Sequence, residues 1–74
     1  MAVIKTIDLV GVSTTSWRDA ANKALDEAGK TLRGIEGFDV LETSATVADN
    51  QIAEYHTHIR IRFRLHPGVV IRIR

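Results

Sequence analysis

From Glu54 to Arg64 the chain carries a charged or titratable side chain at every second position: Glu54, His56, His58, Arg60, Arg62 and Arg64. In an extended segment a period of two puts all six on one face. Two chemistries follow. The pair His56-x-His58 points both imidazoles the same way, and such pairs ligate zinc or copper when a third donor converges. No third donor is evident near it, and the alternative is two polar residues on a cavity wall. The row Arg60, Arg62 and Arg64 can grip the phosphate of a small ligand or of nucleic acid. Its alternative is pairing with Glu36, Asp39 or carboxylates of other subunits. A formal net charge of +1 and the lack of an exposed aromatic platform argue against nucleic acid.

Catalysis finds little support. There is no Ser-His-Asp or Cys-His arrangement, no glycine-rich phosphate loop and no carboxylate dyad. Thr43 opposite His56 would be a hydroxyl–imidazole pair without an orienting third group. Asp8, Asp19, Asp26, Glu27, Glu42 and Asp49 read as solvated or paired. A calcium site needs several converging oxygens, so it would have to form between subunits.

The elements that must position this row follow from periodicity. Ala2–Val10 alternates with period two and reads as a first strand ended by Gly11. Ser16 opens an approximate capping box with Asp19. Trp17, Ala20, Ala21, Ala24, Leu25, Ala28 and Leu32 then recur at helical spacing, predicting a helix over Ser16–Arg33 that ends near Gly34. Trp17 lies on its apolar stripe and reads as core or interface. The alanine-rich face lets something approach closely. Gly37–Val47 and Ile52–Leu65 alternate on either side of the turn dipeptide Asp49-Asn50. A two-residue turn pairs Ala48 with Gln51. Thr43 then faces His56, Leu41 faces His58, Asp39 faces Arg60 and Gly37 faces Arg62. On the other face Val40 meets Ile59 and Phe38 meets Ile61, so the helix should cover Phe38, Val40, Ile59 and Ile61. The opposite face carries Leu41, Ala45 and Val47 beside the His/Arg row. His66-Pro67-Gly68 breaks the last strand, and Val69–Arg74 is an extra strand or a tail. The fold class is α+β: a single β-α-β-β domain, with a three-stranded curved antiparallel sheet around one helix.

With 74 residues and no cysteine, the chain is one domain without disulfides. A core this small usually needs a staple, and self-association is the ordinary one left. No apolar run is long enough to span a membrane, so no membrane partner is expected. Ala2–Val12 is interrupted by Lys5 and Asp8 and lacks a cleavage site, so it reads as a strand rather than a signal peptide. A cytoplasmic location is expected.

Several short motifs now stand in order: Val10-Gly11-Val12-Ser13 ending the first strand, Ser16-Trp17 opening the helix, Lys30-Thr31-Leu32-Arg33 closing it, and Phe63-Arg64-Leu65 ending the third strand. In these, in element order and in length, the chain resembles the dodecin family up to His66. Residues 1–66 would be the dodecin-like domain and 67–74 a C-terminal extension. The resemblance implies a non-enzymatic binding or storage protein, assembled as a hollow homododecamer of tetrahedral symmetry. Its ligand would be riboflavin or FMN; some members bind coenzyme A, and one branch is described as calcium-binding. Flavin-binding members open the second strand with Asp-Trp-Phe, whose Trp stacks on the flavin. Here the segment is Glu36-Gly37-Phe38, so the stacking surface, worth roughly 1–3 kcal/mol per ring, is absent. His56 stands where a glutamine contacts the ring edge, and Arg64 where an arginine reaches the phosphate. The implied ligand pocket is therefore Glu36, Gly37, His56 and Arg64, reshaped by Arg62 and His58. The Arg62 stem is expected to fill the space of the missing indole. The other reading is a structural, calcium-binding or metal-binding shell that does not bind flavin.

Overall fold

The computed structural model describes residues 3–65. They form β1 (Val3–Ser13), α1 (Trp17–Gly29), β2 (Ile35–Ala48) and β3 (Gln51–Leu65). β3 is central, with β1 and β2 antiparallel on its two sides. This is the expected β-α-β-β arrangement of one sheet and one helix. The expected extension at 67–74 lies outside the described residues. No helix among the described residues is long and apolar enough to cross a membrane.

The β2–β3 hairpin closes at Asp49 and Asn50, with φ of 53° and 63°. Two successive positive φ values define the two-residue turn whose twist matches its strands. Ala48 pairs with Gln51, and at the far end Gly37, Phe38, Asp39 and Val40 pair with Arg62, Ile61, Arg60 and Ile59, as expected. Between these ends the register departs from expectation. An irregularity between Val40 and Glu42 puts Glu42, not Leu41, opposite His58. Thr43 therefore faces Thr57, His56 faces Ser44, and Ala45 moves to the helix side opposite Tyr55. A second irregularity between Thr46 and Val47 restores the pairing before the turn. The two offsets cancel, so the ends carry no trace of them. Residues 42–46 are small or polar on both faces, which leaves their register weakly specified by burial.

Ser16 caps α1, its Oγ accepting from the Asp19 backbone N–H at 3.0 Å. The Asp19 carboxylate accepts from Ser13 Oγ at 2.6 Å and lies 3.4 Å from Lys23 Nζ, tying the helix start to the end of β1. Ser16→Ala is expected to cost about 1 kcal/mol of stability, read as a lowered urea midpoint. The helix ends at Gly29 rather than Arg33. Its last turn tightens, with Thr31 and Leu32 both donating to the Ala28 carbonyl at 3.2 and 2.9 Å. Gly34, at φ 74°, then admits the reversal into β2.

Ala21, Ala24 and Ala28 are buried against Ile59 and Ile61, with Ile7, Leu9, Leu25, Leu32, Ile35 and Phe38 around them, and Ala20 is buried as well. β1 does not end at Gly11 but runs on to Ser13. A Cβ at Gly11 would stand 1.8 Å from the Ala20 carbonyl oxygen and 3.2 Å from Ala24 Cβ. Gly11 is thus the point where helix backbone rests on strand backbone, which is the close approach that the alanine stripe permits.

The helix packs on β1 and β3. It leaves Val40 on β2 55% exposed, although its helix-side neighbours Ile59 and Ile61 are fully buried. A 13-residue helix is about 20 Å long, whereas a 15-residue strand runs about 50 Å, so the hairpin extends past its cover. Leu41, Val47 and Ile52 on that distal part are exposed. Trp17 joins the helix to it. Its Nε1 donates to the Ser44 carbonyl at 2.8 Å, and its ring meets Tyr55 edge-on at 4.7 Å. Its own carbonyl accepts from Thr57 Oγ1 at 2.8 Å.

Candidate functional site

The alternation of β3 places His56, His58, Arg60, Arg62 and Arg64 on the face turned away from α1, and each meets a carboxylate. Asp8 of β1 stands across from Arg60 and accepts from its Nε and Nη2 at 2.8 and 3.1 Å. His58 Nε2 lies 3.3 Å from the same carboxylate. Arg62 Nη1 donates to both oxygens of Asp39 at 2.9 and 3.0 Å. Arg64 Nε donates to Glu36. His56 Nε2 lies 3.2 Å from Glu54 Oε1. Backbone pairing puts Asp39 opposite Arg60, as expected, but its ion pair runs diagonally to Arg62, because Asp8 already holds the Arg60 fork.

The hydrogen bond from Arg60 holds the Asp8 carboxyl below the ordinary carboxylate range, aided by His58 and opposed by partial desolvation; Asp8 in turn raises Arg60. The Ser13 hydroxyl is the main cause of the same downward shift at Asp19. For a depressed carboxylate the stabilisation is fully present above the unfolded value of about 3.9, and it is lost as pH falls through the lower folded value. Acid unfolding should therefore steepen below about pH 4. Asp8→Asn should flatten that limb, and acid denaturation curves of identical shape for native and Asp8→Asn protein would refute the assignment.

Gly37 and Arg62 are cross-strand neighbours, and a Cβ on Gly37 would lie 2.8 Å from Arg62 Nη2. The guanidinium therefore lies over the bare glycine. It is the tip of the side chain, steered by Asp39, that occupies this space rather than its stem.

Glu36, Gly37, Arg62 and Arg64 gather at one end of the sheet. His56 does not join them: it sits six residues from Arg62 along β3, about 20 Å away. A pocket using His56 together with Gly37 needs more than one protomer. Among the described residues, no three His, Cys, Asp or Glu side chains cluster as a metal site. Asp8 is the central residue that sequence reasoning left as merely solvated or paired. The signal was its even parity with Ile4, Thr6 and Val10, which faces it toward the arginine row once β1 pairs with β3. A concavity of about 310 Å³ lies elsewhere, between β1 and α1, lined by Leu9–Val12, Lys23, Ala24 and Glu27. None of the His/Arg row borders it.

The dodecin family model matches residues 3–66. The chain belongs to the dodecin family. It is 36% identical to the dodecin of Thermus thermophilus over 63 residues, covering 85% of this chain and 91% of that protein. It is 31% identical to the calcium dodecin of Mycobacterium tuberculosis over 68 residues, covering 92% and 96%. The crystal structure of an arginine-to-alanine mutant of the Thermus dodecin superposes with a TM-score of 0.86 at 35% identity, over 89% of this chain and 98% of that one. The Mycobacterium calcium dodecin, described as a calcium-chelating antigen with a novel calcium-binding site, gives 0.76 at 31% identity, over 89% and 94%.

Proposed function

We propose that this dodecin is a non-enzymatic binding or storage protein that assembles as a homododecamer of tetrahedral symmetry and sequesters a small ligand: riboflavin, FMN or a related phosphorylated molecule such as coenzyme A. The observation that carries the reading is the open sheet face. It presents five cationic or titratable side chains of β3 in a row, and its implied pocket residues are split between two ends about 20 Å apart. A face built in this way completes a site only by meeting copies of itself. The test is titration of riboflavin and FMN into the purified protein, following flavin fluorescence, with the mass measured by light scattering. The expected result is a mass about twelve times the 8.2 kDa protomer and saturable quenching. A monomeric mass without quenching would reject the proposal.

A second reading has its own observation. The Arg62 guanidinium already covers Gly37, where a ring would stack. This favours a shell that binds calcium, or serves a structural role, without flavin; the similarity to a calcium dodecin points the same way. Calorimetric titration of calcium into the assembled protein separates the two. Saturable calcium binding with no flavin quenching would establish the second reading over the first.

A further inference from the structure

The three arginines of the row are not equivalent. Arg60 gives its Nε/Nη2 edge to Asp8, and Arg64 gives its Nε to Glu36. Arg62, among the described residues, donates only from Nη1, to Asp39. Its Nε/Nη2 edge meets no acceptor among the described residues, and its side chain is 41% exposed. Its cross-strand neighbours differ too. Arg60 lies between Asp8 and Asp39, whereas Arg62 lies between Thr6 on β1 and Gly37 on β2. The cross-strand neighbours of Arg62 thus add no carboxylate, and its acidic partner is Asp39 alone among the described residues. Asp39 fixes the guanidinium from one corner and leaves its open edge presented. Gly37 keeps the approach clear, since even a Cβ would crowd Nη2 at 2.8 Å.

The geometry points to an oxyanion seat on Arg62 for inorganic phosphate or a phosphate monoester. The Nε/Nη2 edge receives two oxygens side by side, the arrangement in which guanidinium binds phosphate best. The guanidinium leans toward β2, where Asp39 holds it and Gly37 leaves room beside it for the ligand. The inference deepens the proposed ligand-binding role by naming the group that the face grips and the residue that grips it.

The test is calorimetric titration of inorganic phosphate into the full-length protein at low ionic strength, with phosphorus NMR line broadening as a second readout. Saturable binding is expected. Arg62→Gln should weaken it by at least about tenfold, as loss of a charge-assisted bidentate contact implies. Arg62→Lys, which keeps the charge but not the fork, should also weaken it. Circular dichroism confirms that each variant is folded. The loss in Arg62→Gln should exceed that in Arg64→Gln. The reverse order, or no saturable phosphate binding by the native protein, would overturn the seat. The outcomes separate from those of the flavin reading. Phosphate binding through Arg62 without flavin binding leaves the seat standing and the flavin reading fallen. Equal binding of riboflavin and FMN without phosphate binding does the opposite.

Discussion

Gly11→Ala is expected to cost about 3 kcal/mol or more of stability, and Gly11→Val to prevent folding, the upper end of what overpacking does to a tight core. The added Cβ would lie 1.8 Å from the Ala20 carbonyl oxygen and 2.7 Å from its carbon. Both are backbone atoms, so no side chain can swing aside. The helix itself must lift by more than an ångström. Ala21, Ala24 and Ala28 have no reach with which to keep contact once it does, so Ile59 and Ile61 lose their cover. The internal comparison is Gly29→Ala, where a Cβ meets nothing within 4 Å. That change should be neutral or stabilising by up to about 1 kcal/mol, because alanine is the better helix former. Urea denaturation at one fixed protein concentration compares the two, since assembly contributes to the measured stability. A native-like midpoint for Gly11→Ala would mean that helix and strand do not touch there in solution.

That glycine shows where reading the sequence stops. After the alternating run Ala2–Val10, a glycine reads as a strand end, because its backbone freedom is the only property visible in one dimension. What fixes Gly11 is a carbonyl nine residues later, brought onto it by the packing of α1. The alanine stripe announced a close approach without saying what approached. The hairpin was more legible: Asp49-Asn50 set the turn, and the apolar pairs Val40/Ile59 and Phe38/Ile61 set the far register. The two offsets between them stayed hidden because they cancel and because residues 42–46 carry no large apolar side chain to betray a slip. The charged row was legible as a row, yet its pairing was not. Register put Asp39 on the same face as the arginines, but which guanidinium it takes depends on Asp8, and Asp8 reaches the row only through the way β1, distant in sequence, aligns beside β3. The separation of His56 from Gly37 needed no structure at all, since six residues of extended chain cannot fold back on themselves.

Gly37→Trp is the substitution expected to change ligand binding most. Gly37 lies on the open face opposite Arg62, and only the guanidinium tip fills the space that an indole would take. That tip is the flexible end of a long, partly exposed side chain. Its pair with Asp39 is of the exposed kind that contributes about 1 kcal/mol or less. A tryptophan should therefore displace Arg62 at small cost, in a strand position where aromatic residues are favoured. Base-like stacking on an aromatic is worth roughly 1–3 kcal/mol. At about 1.4 kcal/mol per tenfold, the riboflavin dissociation constant should fall by roughly 5- to 150-fold. The same substitution removes the clearance over the Arg62 edge, so affinity for inorganic phosphate should fall while affinity for riboflavin rises. Opposite movement of the two ligands in one variant distinguishes a local exchange of guanidinium for indole from a general loosening of the sheet, which would weaken both. Riboflavin affinity unchanged in folded, fully assembled Gly37→Trp protein would mean that this strand position does not face the ligand, and the site would have to be sought elsewhere on the shell.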